Sequence, residues 1–204
     1  MLRTSAPLNS ALGVTTMGIS LSWVAVEGLS DHEALSRLSL SKTDKPCTYP
    51  YPFRGVASHS LKNGWYLIAA GRCDHRIGNA ESMSALSQGC RAVACAIEEH
   101  VNFASCELWA NGRRLWRVEH QGDEDPENLS TEGELPQRVD ELLATVESQD
   151  SENLDGHFHM DIPLILAKEL SGYRHDEMNP TIEASPYEEL AEHPAKAAWW
   201  KLWK

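Results

Sequence analysis

A chain of 204 residues with 42% hydrophobic and 24% charged side chains supports one ordinary domain with its own core and excludes bulk disorder. Its formal net charge of −12 is lopsided: residues 1–120 carry 12 Lys/Arg against 10 Asp/Glu, a net +2, whereas residues 121–204 carry 6 against 20, a net −14. The second half lacks the basic footprint that neutralises phosphates, so nucleic-acid binding is disfavoured and a basic protein partner is favoured.

No run reaches the roughly 18 apolar residues of a membrane-spanning helix. The five cysteines, Cys47, Cys73, Cys90, Cys95 and Cys106, are odd in number and form no C-x-x-C pair. Disulfide frameworks and structural zinc sites show paired spacings, so reduced, mostly buried thiols and a cytoplasmic protein are expected. Residues 1–16 read as a loose leader, uncharged apart from Arg3 and interrupted by Pro7, with Met17 an alternative start directly before the first strand.

Residues 19–26 alternate, with Ile19, Leu21, Trp23 and Ala25 on one side and Ser20, Ser22, Val24 and Val26 on the other, as in a half-buried strand. Ser30-Asp31-His32-Glu33 has the form of a capping box, which predicts a short helix burying Ala34, Leu35 and Leu38. Three prolines and two tyrosines in residues 43–52 predict a loop. The short apolar run 65–70, ended by Gly71, predicts a buried strand. Asn79 caps a second helix with Met83 and Leu86 inward and Gly89 beyond its end. Residues 92–103 read as one long strand with Val93, Cys95, Ile97, Val101 and Phe103 on one face. Glu99 falls on that face, where it would be a functional carboxylate with a raised pKa, unless a bulge turns it outward or a core arginine pairs with it, which is the favoured reading.

Asn111-Gly112 marks a two-residue type I′ hairpin, setting Leu108 against Leu115 and Trp109 against Arg114, with a cation–π contact between the last two. Residues 121–133 read as an exposed acidic loop. Pro136 sits near the start of a helix with Val139, Leu142, Leu143 and Val146 on one stripe, and residues 149–156 form another acidic linker. Asp161 and Pro163 open a last helix through Leu170, stopped by Gly172. The packed domain is expected to span residues 17–176, with 177–204 an acidic linker and a Trp/Lys-rich tail. No regular βαβ alternation is present, so the order of elements predicts an α+β fold, a mostly antiparallel sheet with about four helices packed on it.

Three polar clusters combine acids, bases and metal ligands: Arg72-Cys73-Asp74-His75, Glu98-Glu99-His100, and His157-Phe158-His159-Met160-Asp161. Positive charge from Arg72 and His75 would favour a Cys73 thiolate, and Asp74 would partly cancel it, so a salt-bridged strand end is the expected role. In an extended segment His157, His159 and Asp161 would project on one face as a metal-binding triad, but any polar strand face repeats that spacing. No phosphate-binding glycine motif, zinc-protease motif or nucleophile elbow is present, and no cofactor is expected. In the tail, Trp199, Leu202 and Trp203 would share a helical face beside Trp200, with Lys196, Lys201 and Lys204 nearby. Such a surface suits the protein's own acidic body, a partner groove or a membrane interface between Trp199 and Lys204.

At Trp23-Val24-Ala25-Val26, Arg72-Cys73-Asp74-His75, Glu98-Glu99-His100-Val101 and Leu115-Trp116-Arg117-Val118-Glu119-His120 the chain resembles a family of uncharacterised bacterial proteins over roughly residues 17–176. That resemblance implies no activity. In size, acidity and single-domain form the chain is also similar to the immunity proteins of bacterial polymorphic toxin systems. The expectation is therefore a non-enzymatic inhibitor that occludes a basic toxin or other cationic partner through acidic residues between 123 and 155, among them Asp123, Glu124, Asp125 and Glu127, with Trp199, Trp200 and Trp203 in support. The alternative is a small hydrolase or metal-dependent enzyme using the His157/His159/Asp161 or the Arg72/Asp74/His75 group.

Overall fold

Strand β1 (Ser20–Glu27) is buried on both faces: Leu21, Trp23 and Ala25 enter one hydrophobic cluster, Val24 and Val26 a second. A strand without a wet side must lie inside a sheet that is covered twice, which corrects the half-buried reading. The computed structural model describes residues 18–47, 55–123, 125–148, 158–177 and 186–194. Within them β1 is joined by β2 (Leu40–Cys47), β3 (Val56–Ser60), β4 (Tyr66–Ala70), β5 (Arg91–Glu98), β6 (Phe103–Ala110), β7 (Arg113–Gln121), β8 (Leu129–Gly133) and β9 (Tyr187–Glu192). All neighbours pair antiparallel, in the order β2-β9-β3-β4-β1-β5-β6-β7-β8.

Helices α1 (Asp31–Arg37) and α2 (Ala80–Leu86) cover one face, adding Ala34, Leu35, Met83 and Leu86 to the cluster of Val24 and Val26. Helices α3 (Arg138–Ser148) and α4 (Asp161–Ser171) cover the other, where Val139, Leu142, Ile162 and Leu166 meet Trp23, Cys95 and Val118. The fold is α+β. Local chemistry sets the helix ends as expected. Ser30 and Glu33 close a reciprocal capping box, the Asn79 side chain accepts from Ser82 N at 2.8 Å, and Gly172 at φ +74° ends α4. Tyr173 then packs edge-on against Trp23, ring centroids 5.1 Å apart.

Five further segments depart from the sequence reading, each for an identifiable reason. Residues 40–47 form a strand despite Pro46, because β2 lies at the sheet edge and its ladder breaks between Lys42 and Pro46, with Asp44 at φ +60°. The supposed long strand 92–103 is a hairpin: β5 ends at Glu98, a 3-10 turn spans Glu99–Val101, and Asn102 takes the left-handed conformation that reverses the chain. Across the Asn111-Gly112 turn, both at positive φ, Trp109 does face Arg114, but Leu108 faces Trp116. Leu115 is an extra, bulged residue, 44% exposed. Residues 129–133 of the supposed acidic loop pair with β7 as β8. Finally, β9 lies between β2 and β3, so the sheet takes in a segment placed beyond the packed domain.

The Leu115 bulge depends on one glycine. Gly133 sits at φ +83°, and a Cβ there would lie 2.1 Å from the Leu115 carbonyl oxygen, backbone that cannot step aside. Gly133→Ala is therefore expected to lower the unfolding free energy by about 2 kcal/mol or more, read as the shift of a urea transition at unchanged slope; a shift under a quarter of that would show that the β7–β8 wing adapts freely.

Candidate functional site

The first two polar clusters meet at one end of the central strands. Cys73 N donates to the Ser20 hydroxyl at 3.2 Å, and Glu98 pairs with Ser20 across the β1–β5 ladder. The Glu98 carboxylate accepts from His100 Nδ1 at 2.6 Å and from the Ser20 and Cys73 side chains. Burial opposes its charge, yet these hydrogen bonds prevail and hold its pKa below the ordinary carboxylate value. Burial, and secondly the Glu98 carboxylate, push the Cys73 thiol up, outweighing the Ser20 hydrogen bond. The order is thus thiol, carboxylate, imidazole: a negative charge rather than a positive one faces the sulfur, the reverse of what favours a thiolate nucleophile. Arg72 and Asp74 grip each other at 2.9–3.0 Å in solvent, and His75 turns away to Glu192 at 3.3 Å.

Glu99 does not bulge outward from a strand, and among the described residues it meets no arginine. It sits in the 3-10 turn, where its carboxylate accepts from Ile19 N at 2.8 Å and its own N–H donates to Ile19 O at 2.9 Å. His175 Nε2 lies 3.8 Å from it. The third cluster is not an extended ladder either: His159 lies in a turn and Asp161 is the first residue of α4. The Asp161 carboxylate accepts from Phe158 N at 3.0 Å and is held by Arg174, which also binds Asp176. His157, Glu124, Trp199, Trp200 and Trp203 lie outside the described residues. Among the described residues no three His, Cys, Asp or Glu side chains gather as a metal site, and no helix is long and apolar enough to cross a membrane.

Around β8 the carboxylates separate into two populations. On the α1/α2 face of β6, β7 and β8 they are neutralised: Glu107 takes the Trp109 indole N–H at 2.7 Å and Arg114 and Arg117 at 3.2 Å, Arg114 also binds Glu132, and Arg117 also binds Glu119. Arg114 therefore meets Trp109 through a shared carboxylate. On the α3/α4 face a groove of about 690 Å³ runs between β8 and α3. Leu129 and Thr131 line it from the strand, Leu135, Val139, Leu143 and Val146 from the helix side, and Glu127, Asp140 and Glu147 edge it. Among the described residues no Lys, Arg or His pairs with those three carboxylates. Asp123 and Asp125 stand exposed in the loop leading into β8, with Asp125 accepting from Glu127 N at 3.0 Å.

Beside the groove lies a histidine pair of which the sequence reading singled out His159 alone, as a metal-ligand candidate. His120 of β7 is buried, its Nδ1–H donating to Asn128 O at 2.7 Å, and its ring stacks on His159, which lines the groove, at 6.3 Å and 20°. The alternation Trp116, Val118, His120 along β7 was the signal that puts this imidazole on the apolar face. Burial pushes the His120 and His175 pKa values down, with His159 adding to the effect on His120.

Folding thus favours the neutral form of both rings, and the stability this gives is complete above the ordinary histidine pKa of 6.5 and is lost as pH falls through the lower folded values. Urea midpoints are expected to decline from pH 7 to pH 5, and less steeply in His120→Gln; a flat profile in that window would contradict the burial assigned to both rings. The Cys73 thiol is expected to react with iodoacetamide at pH 7 no faster than glutathione, and faster in Glu98→Gln; wild-type reaction well above glutathione would show an activated sulfur. Comparison of the chain with protein-family models, curated proteins and solved structures returned no match, so the functional reading rests on the chemistry of the groove alone.

Proposed function

We propose that this chain is a non-enzymatic binding protein of the immunity type, which occludes a basic toxin or other cationic partner in the cytoplasm. The observation that carries the reading is the α3–β8 groove, an apolar floor edged by Glu127, Asp140 and Glu147 with no cation among the described residues to neutralise them. Unpaired carboxylates beside exposed aliphatic surface have two uses for a partner: the charges steer a cationic surface in, and Leu143 and Val146, both half-buried, supply area to desolvate once it arrives. Asp123 and Asp125 extend the negative rim. Phe158, 62% exposed and next in the chain to His159, offers an aromatic anchor of the kind that dominates binding hot spots. The thiol–carboxylate order at Cys73 favours this reading over hydrolase chemistry.

Each rim charge is worth roughly 0.2–1 kcal/mol to a cationic ligand in water. The combined Glu127→Gln, Asp140→Asn and Glu147→Gln replacement is therefore expected to weaken capture of a Lys/Leu-rich peptide about tenfold and to flatten its salt dependence, measured by fluorescence anisotropy at low and high NaCl. Equal affinity and equal salt slope in wild type and triple variant would overturn the proposal.

A further inference from the structure

We infer that β8 is an open docking edge, to which the basic partner adds a β-strand whose side chains enter the groove beneath α3. The inference rests on the proposed capture of a cationic partner and specifies its geometry.

Among the described residues the sheet has two edges, and they are built differently. β2 is guarded. Its ladder breaks between Lys42 and Pro46, Asp44 stands at φ +60°, Pro46 has no N–H to offer, and Lys42 is held by Asp31 at 2.8 Å and Glu188 at 2.9 Å. Proline, lysine and bulges are the devices by which sheets refuse further strands. β8 carries no proline, lysine or register break within its Leu-Ser-Thr-Glu-Gly run, and its left-handed residue, Gly133, is the last of the strand. It keeps regular register from His120↔Leu129 to Trp116↔Gly133, pairs with β7 alone among the described residues, and is largely exposed.

The register also fixes which side chains a newcomer would meet. Leu129 and Thr131, opposite His120 and Val118, share the α3/α4 face, whereas Ser130 and Glu132 share the other. An added strand would lie about 4.8 Å beyond β8, with alternate side chains pointing to opposite faces. Those on the α3 side enter the space between Leu129 and the half-buried Leu143 and Val146, within reach of Glu127, Asp140 and Glu147. Those on the opposite side meet Ser130 and a Glu132 that Arg114 already neutralises. The matching strand alternates Lys or Arg with aliphatic residues on one face and carries Ser or Thr on the other. A second copy of this chain fits badly, because edge-to-edge pairing of two β8 strands would gather their unpaired carboxylates.

The test uses the full chain and a peptide of about nine residues in which Lys and Leu alternate on one strand face and Thr fills the other. Its control has the same composition with Lys and Leu at helical i, i+3, i+4 spacing. Strand addition predicts at least about tenfold tighter binding of the strand-patterned peptide. It also predicts slowed amide exchange in residues 129–133, and loss of binding when one set of alternate peptide nitrogens is methylated but not the other. Equal, salt-sensitive affinity for both peptides would overturn strand addition and leave the acidic groove standing. Binding of neither peptide would overturn both. A dimer of the chain without peptide, protected at residues 129–133, would identify the occupant as a second copy and overturn the basic strand.

Discussion

A nine-stranded sheet is wider than two helices can roof, and this mismatch governs the whole molecule. Eight inter-strand spacings of about 4.8 Å make the sheet roughly 38 Å across, while each helix covers about 10 Å. Among the described residues two helices per face shield the middle, where β1, β4 and β5 are buried on both sides. Toward β8 the sheet must satisfy itself by other means. On one face it does so with a lattice of alternating charge, Glu107, Arg114, Arg117, Glu119 and Glu132. On the other α3 reaches out only far enough to leave a groove with half-buried aliphatic walls.

The same geometry explains why a net charge of −12 does not become a uniform negative coat. Arginines from the first half of the chain reach second-half carboxylates where the two share a face, as Arg114 does with Glu132. On the α3/α4 side Arg138 is spent on Glu141 and Glu169, and Arg174 on Asp161 and Asp176. Among the carboxylates that no cation of the described residues pairs, Glu127, Asp140 and Glu147 stand at the groove rim and Asp123 and Asp125 in the loop before β8. Negative charge is thereby placed beside apolar surface instead of being spread over it, and that juxtaposition suits recognition better than either property separately.

Much of this fold was legible in the sequence wherever the determinant is local. The Ser30/Glu33 capping box, the Asn79 cap, the Gly172 stop and the positive-φ pair Asn111-Gly112 all act within a few residues of themselves. What escaped was set by distant partners. Pro46 reads as a strand breaker unless β2 is known to be an edge. Glu99 reads as one member of a long alternating face unless Ile19 is known to lie where both its carboxylate and its N–H are needed. The Leu115 bulge depends on Gly133, eighteen positions later, leaving room for a carbonyl. The groove was half legible: the stripe Val139, Leu142, Leu143 and Val146 was visible, but only the placement of β8 decides that Leu143 and Val146 stay half-buried along the groove while Val139 and Leu142 are buried.

The position of β9 bears on how the molecule comes into being. Leu40 pairs with Glu192 and Val56 with Leu190, so two early strands are bridged by one made much later. Until that bridge emerges from the ribosome, β3 has a bare flank and β2 has no neighbour in the sheet, a high-contact-order closure that is slow and prone to wrong pairings. During synthesis the nascent sheet therefore presents a second vacant edge in its interior, which closes only once residues 186–192 have been made.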